Sequence, residues 1–194
     1  MSENPQIIIH RPFGPTVAKM TMPPELVEAL NSYVDKIVAD EKKAKDLDHG
    51  AKLAGNVKQE FLLESDFVQS SGFLNFLGTS TRNWIKFSGL PEIKKFNIIA
   101  AWAVRQFKNE YNPTHWHGGH ISGAGFLKIP KTFGQHTQSD KGDKEYRGGN
   151  LQLIHGSRMF MCHSTLNIEP KVGDFYFFPN YMMHTVFPFK NTDE

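Results

Sequence analysis

The sequence predicts a mainly β domain, a sandwich or barrel, with N-terminal helices in front of it. Apolar residues recur at helical spacing in the first part of the chain, and from about Ile98 the pattern changes to short β-type segments separated by Gly, Pro and Asn. The core material is sufficient for one compact domain, since 39% of the 194 residues are hydrophobic and 16 are Phe.

The helical part begins at Thr21-Met22-Pro23-Pro24-Glu25, a helix-start signal. Leu26, Leu30, Tyr33 and Ile37, with Val27, Val34 and Val38 beside them, form the stripe this helix would bury. Asp48-His49-Gly50 is expected to stop it. A second helix is expected over Ser70–Phe87, and Pro91-Glu92 is expected to open a short third turn. These helices are expected to pack on the outside of a sheet and to do no chemistry.

Strands are expected at Ile98–Phe107, Thr114–His117, Ile121–Ile129, Asn150–His155, Arg158–Leu166, Asp174–Phe178 and His184–Phe189. In the first, Trp102 and Val104 share one face while Ala103, Arg105 and Phe107 share the other. The polar stretch Lys131–Gly149 is too long for a tight turn and reads as a lid, a binding loop or a disordered segment.

Charge and cysteine content exclude several classes. A formal net charge of +2 implies neither a nucleic-acid stripe nor a polybasic membrane segment. Cys162 is the only cysteine, which excludes an internal disulfide and any multi-cysteine zinc or iron–sulfur site. A reducing, cytoplasmic setting is the resulting expectation. The opening Met-Ser-Glu-Asn-Pro does not read as a signal peptide, and no run of about 18 apolar residues suggests a membrane span.

The densest chemical patch runs from Asn112 to His120 and contains His115-Trp116-His117; His184 follows 67 positions after His117 (184 − 117). Two imidazoles one residue apart on an extended segment project to the same side. A third from a distant strand then closes one face around a metal and leaves the opposite coordination positions open. Pro113 fixes the backbone ahead of the pair, and Gly118-Gly119 allows the chain to turn directly after it. His184 follows the apolar strand Phe175-Tyr176-Phe177-Phe178-Pro179, where a buried imidazole needs a partner, either a metal or a backbone carbonyl.

Between Glu110 and Asp140 there is no Asp or Glu, so a 2-His-1-carboxylate site cannot take its carboxylate from the residue two after His115. The local candidates are three histidines, a set that zinc also accepts. His120 is a candidate substrate contact, and Tyr111, Trp116, Arg158 and Tyr181 flank the expected site. His10, His49 and His136 fall in expected loops or termini. His155 and His163 fall on expected strands, where structural roles are the simpler reading.

Taken together, Asn109-Glu110-Tyr111-Asn112-Pro113-Thr114-His115-Trp116-His117, then Ile121-Ser122-Gly123-Ala124-Gly125-Phe126-Leu127-Lys128-Ile129-Pro130, then Gly149-Asn150-Leu151, and finally Pro170-Lys171-Val172-Gly173-Asp174 to Pro179 and His184 resemble a known family. It is the 2-oxoglutarate/iron(II)-dependent oxygenases of the prolyl-hydroxylase-like superfamily, in a version similar to a group common in marine bacteria and cyanophages. The resemblance implies a double-stranded β-helix (jelly-roll, cupin-like) core within a single domain, with about residues 1–95 as helical support and about 96–194 as the core.

It implies Fe(II), 2-oxoglutarate and O2 as cofactors and hydroxylation of a peptidyl, including prolyl, or small-molecule substrate, with no nucleic-acid or membrane partner. The metal ligands would be His115, His117 and His184, with His117 standing where many relatives have Asp or Glu. The superfamily anchors 2-oxoglutarate with an Arg or Lys about ten residues beyond the last metal histidine. Here that position is Glu194 and the Arg is absent, which leaves two expectations: a core shortened at its C-terminus whose natural frame continues, or another cation in that role, with Lys128 the leading substitute. Two other readings remain open: a cupin-like three-histidine dioxygenase that does not use 2-oxoglutarate, and a non-enzymatic jelly-roll metal-binding module.

Overall fold

The computed structural model describes residues 14–134 and 146–190. His10, His136, Glu194 and the greater part of the expected Lys131–Gly149 loop lie outside the described residues.

Helix α1 (Pro24–Ala39) starts on Pro24, which needs no N–H in the first turn, and buries Leu26, Val27, Leu30, Val34 and Ile37. It ends earlier than the expected stop at Asp48-His49-Gly50. Asp40 leaves the helical conformation, and its side chain accepts from the Lys43 N–H at 3.0 Å to start α2 (Glu41–Asp46). The second expected helix, Ser70–Phe87, is α4 (Phe73–Phe87); an unexpected short helix, α3 (Ser65–Ser70), precedes it and is separated from it at Gly72, whose φ of 84° is left-handed. Pro91 and Glu92 open no helical turn; they lie in irregular backbone. None of the described helices is long and apolar enough to cross a membrane.

The described strands are β1 (Ala18–Thr21), β2 (Gln59–Leu62), β3 (Trp102–Arg105), β4 (Asn112–His115), β5 (Ile121–Gly125), β6 (Leu151–Ile154), β7 (Thr165–Ile168), β8 (Asp174–Pro179) and β9 (Met183–Val186). All pairings are antiparallel, in sheets ordered β1-β8-β5, β2-β3 and β4-β9-β6-β7. Most are shorter than the sequence suggests. Expected strand Arg158–Leu166, for example, gives way to a tight turn in which Met159 and Cys162 exchange backbone hydrogen bonds of 3.2 and 3.0 Å, with Met161 at φ 61°. His163 consequently lies outside a strand, and so does His155, because β6 ends at Ile154.

Strand β8 joins the two cores, because alternate side chains project to opposite faces. Phe175 and Phe177 pack toward the helices, against Met22, Leu26, Leu30, Phe73, Leu77 and Trp84. Phe178, with Tyr176 beside it, faces the other large sheet and meets Leu151, Leu153 and Ile168. Burial of each such phenylalanine contributes roughly 1.5–3 kcal/mol. On β5, the Phe175 ring lies so close to Gly123 and Gly125 that a Cβ at either would collide with it. The result is a three-layer arrangement of helices, β1-β8-β5 sheet and β4-β9-β6-β7 sheet: a double-stranded β-helix core that stays open among the described residues.

Candidate metal centre

The centre is built where β4 meets β9. Asn112 stands opposite Val186 and His115 opposite His184, so three steps on β4 (115 − 112) match two on β9 (186 − 184). That extra residue is a β-bulge. Pro113 sits inside it, where its missing N–H costs no ladder bond, and Thr185 Oγ1 donates to the Asn112 carbonyl at 2.7 Å. Without the bulge, Thr114 would face His184. With it, His115 and His184 are directly opposed and their side chains share one face.

His184 is buried, at 5% exposure, with its ring edge-on to Phe178 at 5.1 Å. His117 differs from the expectation of a ligand carried on the same strand as His115: β4 ends at His115, and His117 lies in the following turn. Its ring nevertheless converges on the other two, with centroids 4.9 Å from His115 and 4.9 Å from His184, while His115 and His184 are 4.2 Å apart. Trp102 packs edge-on to it at 5.1 Å.

The ring nitrogens are arranged to bind a cation. His115 Nδ1 lies 2.6 Å from the Pro113 carbonyl and His184 Nδ1 lies 3.2 Å from the Met182 carbonyl. A carbonyl only accepts, so Nδ1 carries the proton in each, and a neutral ring then offers its Nε2 lone pair. His184 Nε2 is 3.1 Å from His117 Nε2. Two nitrogens about 2.0–2.1 Å from one ion lie at most about 4.2 Å apart, so this separation accommodates a shared metal.

Burial pushes the His117 and His184 pKa values down to about 4, with the nearby His115 adding to the effect. Both rings are therefore neutral near pH 7, the form a metal requires. Ligand atoms of His115, His117 and His184 all lie within 4.8 Å of one another, and among the described residues this is the one group of three or more His, Cys, Asp or Glu side chains so placed.

The remaining predicted site residues are less concentrated. Trp116, 65% exposed, lies between His115 and His117, and exposed Tyr181 lies in the β8–β9 connection, 6.1 Å ring to ring from His155. His120 is exposed, and its carbonyl accepts from the Asn180 N–H at 3.1 Å. The Tyr111 carbonyl accepts from Asn56 N–H at 2.9 Å, and Arg158 is exposed in the β6–β7 connection. Lys128 is exposed beyond the end of β5 at Gly125, although Ala124 and Phe126, which share its alternation, pack against the inter-sheet core. Sequence reasoning missed Asn180 and the packing partners Phe178 and Trp102. Their only advance signals are the Pro179-Asn180 turn and the aromatic strands around it.

Residues 100–194 match the family described as "Putative 2OG-Fe(II) oxygenase". No curated protein sequence matches this chain. Among solved structures, the crystal structure of a Pseudomonas putida prolyl-4-hydroxylase is similar to it with a TM-score of 0.58 at 14% identity, covering 90% of this chain and 86% of that one. At that identity the likeness is one of fold.

Proposed function

We propose, from the match of residues 100–194 to the 2OG-Fe(II) oxygenase family, that the chain is an iron(II)- and 2-oxoglutarate-dependent dioxygenase whose metal is held by His115, His117 and His184. The convergence of three imidazoles, two of them fixed in tautomer by backbone carbonyls, carries the reading. Bound there, iron(II) with 2-oxoglutarate and O2 supplies oxidative decarboxylation coupled to hydroxylation of a C–H bond.

The chain's own residues do the holding and shielding. The Pro113 and Met182 carbonyls keep the Nδ1 protons of His115 and His184, so that neither ring turns a proton toward the metal. Phe178 and Trp102 exclude water from the sides of His184 and His117. Three neutral ligands leave the full divalent charge on the metal, which strengthens its attraction for an anionic co-substrate such as 2-oxoglutarate. Lys128 is the candidate cation for the far carboxylate.

The substrate is a peptidyl residue, prolyl being the first to try, or a small molecule; the likeness to a prolyl-4-hydroxylase supports that choice. Trp116, Tyr181, His120, Tyr111 and Arg158 are the candidate contacts.

Iron-loaded protein supplied with 2-oxoglutarate and O2 should release succinate in step with oxygen uptake. The all-nitrogen ligand set favours a second reading, a three-histidine dioxygenase independent of 2-oxoglutarate. Oxygen uptake with a candidate substrate that is unchanged when 2-oxoglutarate is withheld would select it over the first.

A further inference from the structure

We propose that Asn180 is a positioning residue that holds His117 in the metal-binding arrangement; this rests on the metal-centre reading above. His117 needs such a device because no strand carries it. It lies two residues beyond His115, the last residue of β4, and precedes Gly118 and Gly119, the latter at φ 92°. A ligand on a turn of that composition has a soft backbone unless something else fixes it.

Asn180 supplies what β4 does not. The His117 N–H donates to the Asn180 carbonyl at 3.4 Å, and Asn180 Nδ2 donates back to the His117 carbonyl at 3.2 Å. The Asn180 N–H donates to the His120 carbonyl at 3.1 Å. One residue thus grips both ends of the 117–120 turn. It is itself rigidly placed, because it follows Pro179, the β8 residue paired with Ile121, and Met182 N–H closes the next turn on the Pro179 carbonyl at 3.0 Å. Since this same connection leads into His184, Asn180 sets the spacing between two of the three imidazoles. Its side-chain amide is the part that substitution can remove while the backbone bonds remain.

The test uses the full-length protein freed of metal and titrated with cobalt(II), following ligand-field absorption, in a double-mutant cycle. Asn180→Asp is nearly isosteric but replaces the donor facing the His117 carbonyl by an acceptor. It should weaken cobalt(II) binding by about 10-fold or more, the usual cost of losing a group that orients a ligand. Thermal melting of the metal-free protein should change little. In the His117→Ala background the same substitution should change affinity by less than about 2-fold, because the residue it orients is gone.

Asn180→Ala should repeat the pattern. Unchanged affinity in Asn180→Asp, or an equal loss in both backgrounds, would overturn the proposal. Cobalt(II) behaviour of the expected kind in a protein that forms no succinate would support the role of Asn180 while contradicting the oxygenase reading.

Discussion

His184 combines three demands in one side chain: it is buried, it is fixed by the Met182 carbonyl, and it stands opposite His115 across the β4–β9 ladder. His184→Ala should therefore lower divalent-metal affinity by about 100-fold or more, measured by cobalt(II) or zinc(II) titration. Burial also makes the metal-free protein sensitive to acid. His117 and His184 titrate near 4 when folded, against about 6.5 for an unfolded imidazole. Between those values the unfolded chain takes up more protons, so stability is fully present above about pH 6.5 and falls as the pH drops toward about 4. Urea melts of metal-free protein at pH 7, 5.5 and 4 should show this decline, and it should flatten when both histidines are replaced by Ala. At this scale the sequence was informative about which side chains meet. It did not reveal how His117 gets there, because strand alternation applies only to residues on a strand, and a clamp by Asn180 leaves no local pattern.

Strand β8 is the element on which the fold depends most, since Phe177 is 2% exposed on its helix side and Phe178 1% exposed on its inter-sheet side. Phe177→Ala should cost about 3–5 kcal/mol, read from denaturant unfolding. The β8 segment was legible because an uninterrupted aromatic run bounded by Gly173 and Pro179 has no other good use. Strands β1 and β2 were not. Each is four residues long, and each is defined by distant partners, β1 by Tyr176 and its neighbours, β2 by Trp102 to Arg105. β2 also carries Glu60, which is 3% exposed and whose carboxyl burial pushes toward a raised pKa, a residue no propensity argument places inside. The single helix expected from Leu26 onward divides at Asp40 because a capping side chain there outcompetes continuation. Replacing Asp40 by Ala should cost about 1 kcal/mol of stability.

Across the whole molecule, helices brace one sheet, the second sheet covers its other face, and the metal-competent histidines gather where β4 ends and β9 begins. That placement explains why the fold class and the converging histidines were both legible in the sequence, while no residue stood out as a co-substrate anchor. A ligand triad is written as spaced histidines, whereas Lys128 lies past the end of a strand whose alternation no longer governs it. Metal and 2-oxoglutarate should bind the folded state alone, so melting temperature should rise with the metal and rise further when both are present.

The most direct measurement is an anaerobic titration of the full-length protein with iron(II) and then 2-oxoglutarate, read by visible absorption. The account predicts a metal-to-ligand charge-transfer band that saturates with 2-oxoglutarate and is missing in His184→Ala. A protein that gives no band at saturating concentrations, and no succinate once oxygen is admitted, would contradict it.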